Sequence, residues 1–108
     1  MAMNDFRWSP SEKRLARKAY DKALNKEKDA LILEVKDRAA KIKDIQGVWD
    51  LERRIDKWGM EINEKYDYRY SVLPMVFGRL LRESDIEWED LAGLAEDKMD
   101  FIRRIAEY

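Results

Sequence analysis

The residues best placed to do chemistry are Trp49, Glu52, Arg53, Asp56 and Met60. At helical spacing they fall on one face, an indole and a thioether set among opposite charges. A buried face would not tolerate those charges, and a plain solvated face has no use for the Trp. Trp and Arg are the residues most enriched where protein interfaces concentrate their energy, and Trp49 and Arg53 stand one turn apart. The chemistry indicated is recognition of another protein; the other reading is that Trp49 packs in a dimer core beside Val48, and the two are compatible if the seam borders the patch.

Reaction chemistry finds little support. The 108 residues contain neither Cys nor His, which removes disulfides, thiolate metal sites, a Cys nucleophile, the commonest general base and the commonest zinc ligand. Glu61, Glu64 and Asp67 lie close in sequence, but a di-metal carboxylate site would lack its usual Glu-x-x-His element. The four glycines are scattered and form no phosphate loop. Ser9, Ser11, Ser71 and Ser84 all sit at plausible helix starts. Tyr66, Tyr68 and Tyr70 alternate with Asp67 and Arg69, and one Arg is too few for a nucleic-acid platform. A binding protein with no cofactor and no metal, and not an enzyme, is the expectation.

The helix that carries the Trp49 face must also pack. Val48, Leu51, Ile55, Trp58 and Ile62 recur at steps of three and four, a seam suited to another helix. Upstream, Ser9-Pro10-Ser11-Glu12 reads as a capping box with Pro in the first turn. From there nothing breaks a helix over 10–45 until Gly47. Tyr20, Leu24, Leu31, Val35 and Ile42 share an arc of about 60° at 100° per residue, with Ala16 and Ile45 on its flank. The pairs Glu34/Arg38 and Asp37/Lys41 support its exposed side. Some 35 residues at 1.5 Å each make a rod of roughly 50 Å, far longer than a compact core with a radius of gyration near 13 Å can cover. A second copy is the simplest cover. Leu31, Val35, Ile42, Val48, Leu51, Ile55 and Trp58 are therefore the expected dimer interface.

The rest reads as a head. A second helix over 46–66 contains Gly59, which suggests a close backbone approach. A joint follows at 66–70, then a nearly all-apolar helix over 71–83 capped by Ser71. A short turn or helix over 86–92 should point Ile86, Trp88 and Leu91 inward, and a last amphipathic helix spans 94–107. The fold class is all-α: two long antiparallel helices plus a short helical head, in an elongated homodimer. Residues 1–8 read as an N-terminal tail and 9–108 as a single domain.

Charge bounds the partners. Charged residues make up 42%, yet the net charge is −1, so no bulk field draws nucleic acid or an acidic membrane. Glu12 to Asp29 holds seven Lys/Arg against four acids, while Glu83 to Asp100 holds eight acids against Lys98 alone. No apolar run approaches the ~20 residues of a membrane span, and the first residues lack a secretion signal. A cytoplasmic protein is expected.

Several stretches resemble one family. Trp8-Ser9, Glu12, Lys18-Ala19-Tyr20, Trp49-x-Leu51, Glu61-Ile62, Lys65-Tyr66-Asp67-x-Arg69-x-Ser71-Val72, Val76-Phe77, Leu80-Leu81 and Asp97-Lys98 are similar to the fluorescence recovery protein family. The resemblance implies an all-helical homodimer without a cofactor. It also implies a partner, the light-activated orange carotenoid protein, bound chiefly through its C-terminal domain. Members hasten that protein's return to its resting orange form and its release from the phycobilisome. In the family's functional patch the Trp is followed by a His three residues on, an Asp four on and an Arg ten on. Here those places hold Glu52, Arg53 and Gly59. Only the Trp is kept and one charge is reversed, so a relative serving a different client is the other reading.

Overall fold

The computed structural model describes residues 6–108; of the expected N-terminal tail, residues 1–5 lie outside that range. Four α-helices and one 3-10 turn follow in order: α1 (Pro10–Ala40), α2 (Ile45–Lys65), α3 (Leu73–Arg82), the turn (Trp88–Leu91) and α4 (Glu96–Glu107).

The start of α1 follows from its sequence. The Ser9 side chain accepts from the Glu12 N–H at 3.1 Å, and a Glu12 carboxylate oxygen accepts from the Ser9 N–H at 2.9 Å. Pro10 opens the helix, where no intrahelical partner is lost. Its end differs from expectation: α1 stops at Ala40, not near 45. The Lys41 and Ile42 amides fold back onto the Arg38 and Ala39 carbonyls, and the Asp44 side chain accepts from the Gly47 N–H at 3.1 Å. Asp44 is therefore the N-cap of α2, and Ile45 belongs to the first turn of α2 rather than to the α1 stripe.

The first half of α1 enters the head. Ala16, Ala19, Tyr20 and Ala23 are buried there with Leu73, Val76, Phe77 and Leu80 of α3, Leu91 of the turn and Ile102 of α4. α3 and α4 approach so closely at Gly78 that a Cβ there would meet Ile105 Cγ2 at 2.3 Å. Gly93, at φ +116°, turns the chain between Leu91 and Leu94 beneath Leu15. α3 begins at Leu73 without a side-chain cap; Ser71 is not used, because the Arg69 carbonyl takes both the Val72 and Leu73 amides. Of the three residues expected to point inward near the turn, Ile86 and Leu91 do, whereas Trp88 is 41% exposed. The four-residue turn offers its inward place to Leu91, and Trp88 lies outside with the Arg103 guanidinium 5.9 Å from its ring.

Two buried ions and a file of rings fasten the head. Lys98, 1% exposed, meets Glu12 at 3.0 Å, and Glu12 also accepts from the Ala95 N–H. Burial would raise the Glu12 pKa; the hydrogen bonds from Ser9, Ala95 and Lys98 outweigh it and hold the carboxyl down to about 2. Trp8, Tyr70, Tyr68, Tyr20 and Tyr66 stand ring against ring at centroid distances of 4.7–5.6 Å, and Phe6 meets Phe101 at 5.7 Å. The aromatic joint at 66–70 is thus packing for the head.

The remainder of α1 and all of α2 form a stem that leaves the head. The Cα extents are 54 × 26 × 24 Å and the radius of gyration is 17.0 Å, against about 13 Å for a compact chain of this length. Along the whole of α2, only Lys65 is buried.

Candidate functional site: the outer faces of the stem

α2 presents three faces. The inner one carries Leu51, Arg54, Trp58 and Ile62, all half-buried. Trp58 and Ile62 share a groove with Leu31 and Glu34 of α1. Leu51 and Gly47 share another with Ile42 and Arg38. The Arg54 guanidinium lies 4.6 Å from the Trp58 ring and that of Arg38 5.7 Å away, so cations cover this indole from within the chain. Leu31, Ile42, Leu51 and Trp58, expected at a dimer interface, are half-spent on the protomer's own hairpin.

The second face is an open apolar stripe. At 100° per residue Val48, Ile55 and Gly59 lie within about 40° of one another. Val48 and Ile55 are 40% and 41% exposed. Among the described residues, and apart from its own helix backbone, nothing comes within 4 Å of a Cβ built on Gly59. Ile45 and, on α1, Ile32 and Leu33 are exposed as well, while Val35 is half-buried. Glycine in a helix interior costs about 1 kcal/mol relative to Ala, and no close approach inside the protomer accounts for it.

The third face, about 100° around from the stripe, carries the recognition residues. Trp49 is 48% exposed and Met60 64%, with Glu52, Arg53 and Asp56 in the open beside them. All five expected residues therefore share one accessible surface, with Glu52 at its border with the stripe. One member was missed in the sequence: Asp50 accepts a hydrogen bond from Gln46 at 2.9 Å and forms an ion pair with Arg53. The three-residue step between an Asp and an Arg was the available signal. Asp50 holds the guanidinium along the helix, and exposed Lys57 lies on the same side, so the patch offers three carboxylates against two cations, one of which already has a partner. An exposed pair of this kind contributes little stability; its effect is on what the surface attracts.

Most residues that carry the family resemblance are elsewhere. Glu12, Ala19, Tyr20, Lys65, Tyr66, Val76, Phe77, Leu80 and Lys98 are all buried in the head or at its joint with the stem. They specify the fold and the buried ions, not the patch.

An all-helical head on a long stem, with an exposed indole face beside an open apolar stripe, defines an elongated all-helical protein with a large accessible stem surface. The chain belongs to the family of the photoprotection regulator fluorescence recovery protein, whose pattern it matches over residues 8–106. It is 36% identical over 99 residues to the fluorescence recovery protein of Synechocystis sp. PCC 6803, covering 92% of this chain and 91% of that one. Solved structures of the fluorescence recovery proteins of Fremyella diplosiphon and of that Synechocystis each superpose with a TM-score of 0.88 at 35% identity. Each covers 94% of this chain and 100% of the other.

Proposed function

We propose that two copies of this chain pair through the open stripe of the stem, and that the dimer binds the light-activated orange carotenoid protein in the cytoplasm and speeds its return to the resting orange form. The observation that carries this reading is α2 itself, a 21-residue helix on a fluorescence recovery protein fold that buries only Lys65 within its own chain. Helices in water owe most of their stability to packing an apolar face, and Val48 and Ile55 have none to pack on until a second stem arrives. The paired stems then set Trp49 at the edge of the seam.

To speed reversion, the dimer must hold the crossing state between open and closed carotenoid protein more tightly than either end state; equal affinity for all would change nothing. A rigid scaffold does this by keeping two separated domains close. Photoactivated carotenoid protein mixed with this protein in the dark reverts faster than alone. Trp49→Ala removes the acceleration while sedimentation still shows a dimer. An unchanged reversion rate at excess dimer would overturn the reading.

A second reading has its own support: Glu52, Arg53 and Gly59 stand where the family's patch has other residues, and Arg53 is drawn onto Asp50. The client is then a different cytoplasmic protein with a cationic docking surface. Its mark is a stable complex that needs Trp49, together with no effect on carotenoid protein reversion.

A further inference from the structure

A file of aromatic rings runs from the rim of the head into its interior. Trp8 meets Tyr70 at 5.3 Å, Tyr70 meets Tyr68 at 5.6 Å, Tyr68 meets Tyr20 at 4.7 Å and Tyr20 meets Tyr66 at 5.4 Å, centroid to centroid. Each is an ordinary packing distance for aromatic pairs, so the rings make one unbroken path of π contact. Trp8, Tyr70 and Tyr68 are half-buried, whereas Tyr20 and Tyr66 are 7% and 9% exposed. Packing of the family's head does not require every member. The run Lys65-Tyr66-Asp67-x-Arg69-x-Ser71 that carries the family resemblance leaves positions 68 and 70 free, and in this chain both are Tyr. Those rings are the ones that join Trp8 to Tyr20.

Charge makes the ends of the file unlike. The Lys98 ammonium lies 5.2 Å from the Trp8 ring, that of Lys13 5.3 Å from Tyr70, and the Arg17 guanidinium 3.8 Å from Tyr68. A cation on the face of a ring makes an electron harder to remove from it. At the inner end Lys65 stands 5.8 Å from the Tyr66 ring, but its ammonium is bonded to Glu27, Glu83 and Asp85. Burial first, then the charges of Glu27 and Asp85, keep the Tyr66 hydroxyl protonated far above its usual range. Loss of an electron turns a phenol into a strong acid, and Glu27 is the acid that acts on this one most. Trp8 has no such outlet: its indole N–H is sealed from water and has no acceptor among the described residues.

We propose that the file is an electron path that carries a one-electron oxidation of Trp8 inward to Tyr66, so that the head collects oxidising equivalents on a single buried tyrosine. A photogenerated one-electron oxidant takes an electron from the Trp8 indole and is itself reduced by one equivalent. An electron from Tyr66 refills Trp8 by way of Tyr20, Tyr68 and Tyr70. The phenolic proton of Tyr66 passes to the Glu27 carboxylate, and a neutral tyrosyl radical remains. No bond between heavy atoms forms or breaks. The surrounding core keeps that radical from the rings of other molecules, with which an exposed tyrosyl would couple.

The test oxidises the whole chain with flash-photolysed ruthenium tris(bipyridine) and persulfate, in a Tyr108→Phe background because Tyr108 is fully exposed. Rapid-freeze electron paramagnetic resonance should show a long-lived tyrosyl radical, and Tyr66→Phe should remove it. Tyr68→Phe keeps a ring in the file but one too hard to oxidise, so electrons no longer pass it readily. Oxidation of Trp8, read by peptide mass spectrometry, should then rise severalfold. Trp49 and Trp88, exposed and outside the file, serve as internal references and should be oxidised as in the background protein. Equal melting temperatures check that the Tyr66 and Tyr68 variants are folded. A long-lived radical that survives Tyr66→Phe, or Trp8 oxidation unchanged by Tyr68→Phe, overturns the proposal.

Discussion

Glu12 shows how much one side chain can hold in this fold. It closes the capping box of α1, takes the Ala95 amide next to α4 and neutralises Lys98, so it ties the first helix to the last. Its carboxyl is held at about 2 in the folded chain, below the value of about 4.3 expected when unfolded. A depressed carboxyl contributes stability above the unfolded pKa and loses it as pH falls toward the folded one. Urea midpoints should therefore drop between about pH 4.5 and pH 2. Glu12→Gln should lower stability by about 3 kcal/mol at neutral pH, because Lys98 is left buried without its counter-charge. The acid limb of the variant should be correspondingly shallower. The capping half of this role was legible, since Ser-Pro-x-Glu is a local pattern. The Lys98 half was not: nothing in Asp97-Lys98 says that this lysine turns inward while Asp97 beside it faces water. The Lys65 ion cluster escaped for the same reason, because its partners Glu27, Glu83 and Asp85 are brought together only by folding.

At the scale of elements, apolar patterning located the four α-helices of the described residues, and where it erred the backbone had a cheaper local solution. The Asp44 cap on Gly47 set the α1–α2 break, and the Arg69 carbonyl replaced Ser71 at the start of α3. Glycines divide by what surrounds them. Gly78→Ala would drive a methyl into Ile105. Overpacking of this kind costs about 1–3 kcal/mol, which exceeds the helix-propensity gain of about 1 kcal/mol. A lower urea midpoint with helicity retained is the expected readout. Sequence alone could not separate Gly78 from Gly59, because both interrupt helices that carry apolar faces and only tertiary contact distinguishes them.

For the whole molecule, the open stripe makes the decisive prediction. Ile55→Glu should leave the head folded, since Ile55 touches none of its core, and should convert the dimer proposed for this chain into a monomer by sedimentation at micromolar concentration. A charge placed in an apolar seam is uncompensated there, whereas in a lone protomer it faces water. A variant that sediments as the wild type does would exclude the stripe as the seam. The elongated shape was legible in advance, because a 31-residue helix cannot be wrapped by the few apolar residues left in the chain. What sequence could not divide was the seam itself. Leu51, Trp58 and Ile62 close onto α1, and Val48 and Ile55 stay open, although all five lie on one repeating pattern.

That an entire helix has so little of its own chain to rest on carries a consequence for the protein's survival. Without the pairing proposed for it, a protomer should keep a sound head and fray along the stem, and frayed backbone is what proteases cut. The proposed pairing would obey mass action, so turnover should slow as the amount made rises. Scarcity would clear the protein and abundance would preserve it, with its own expression level serving as the timer.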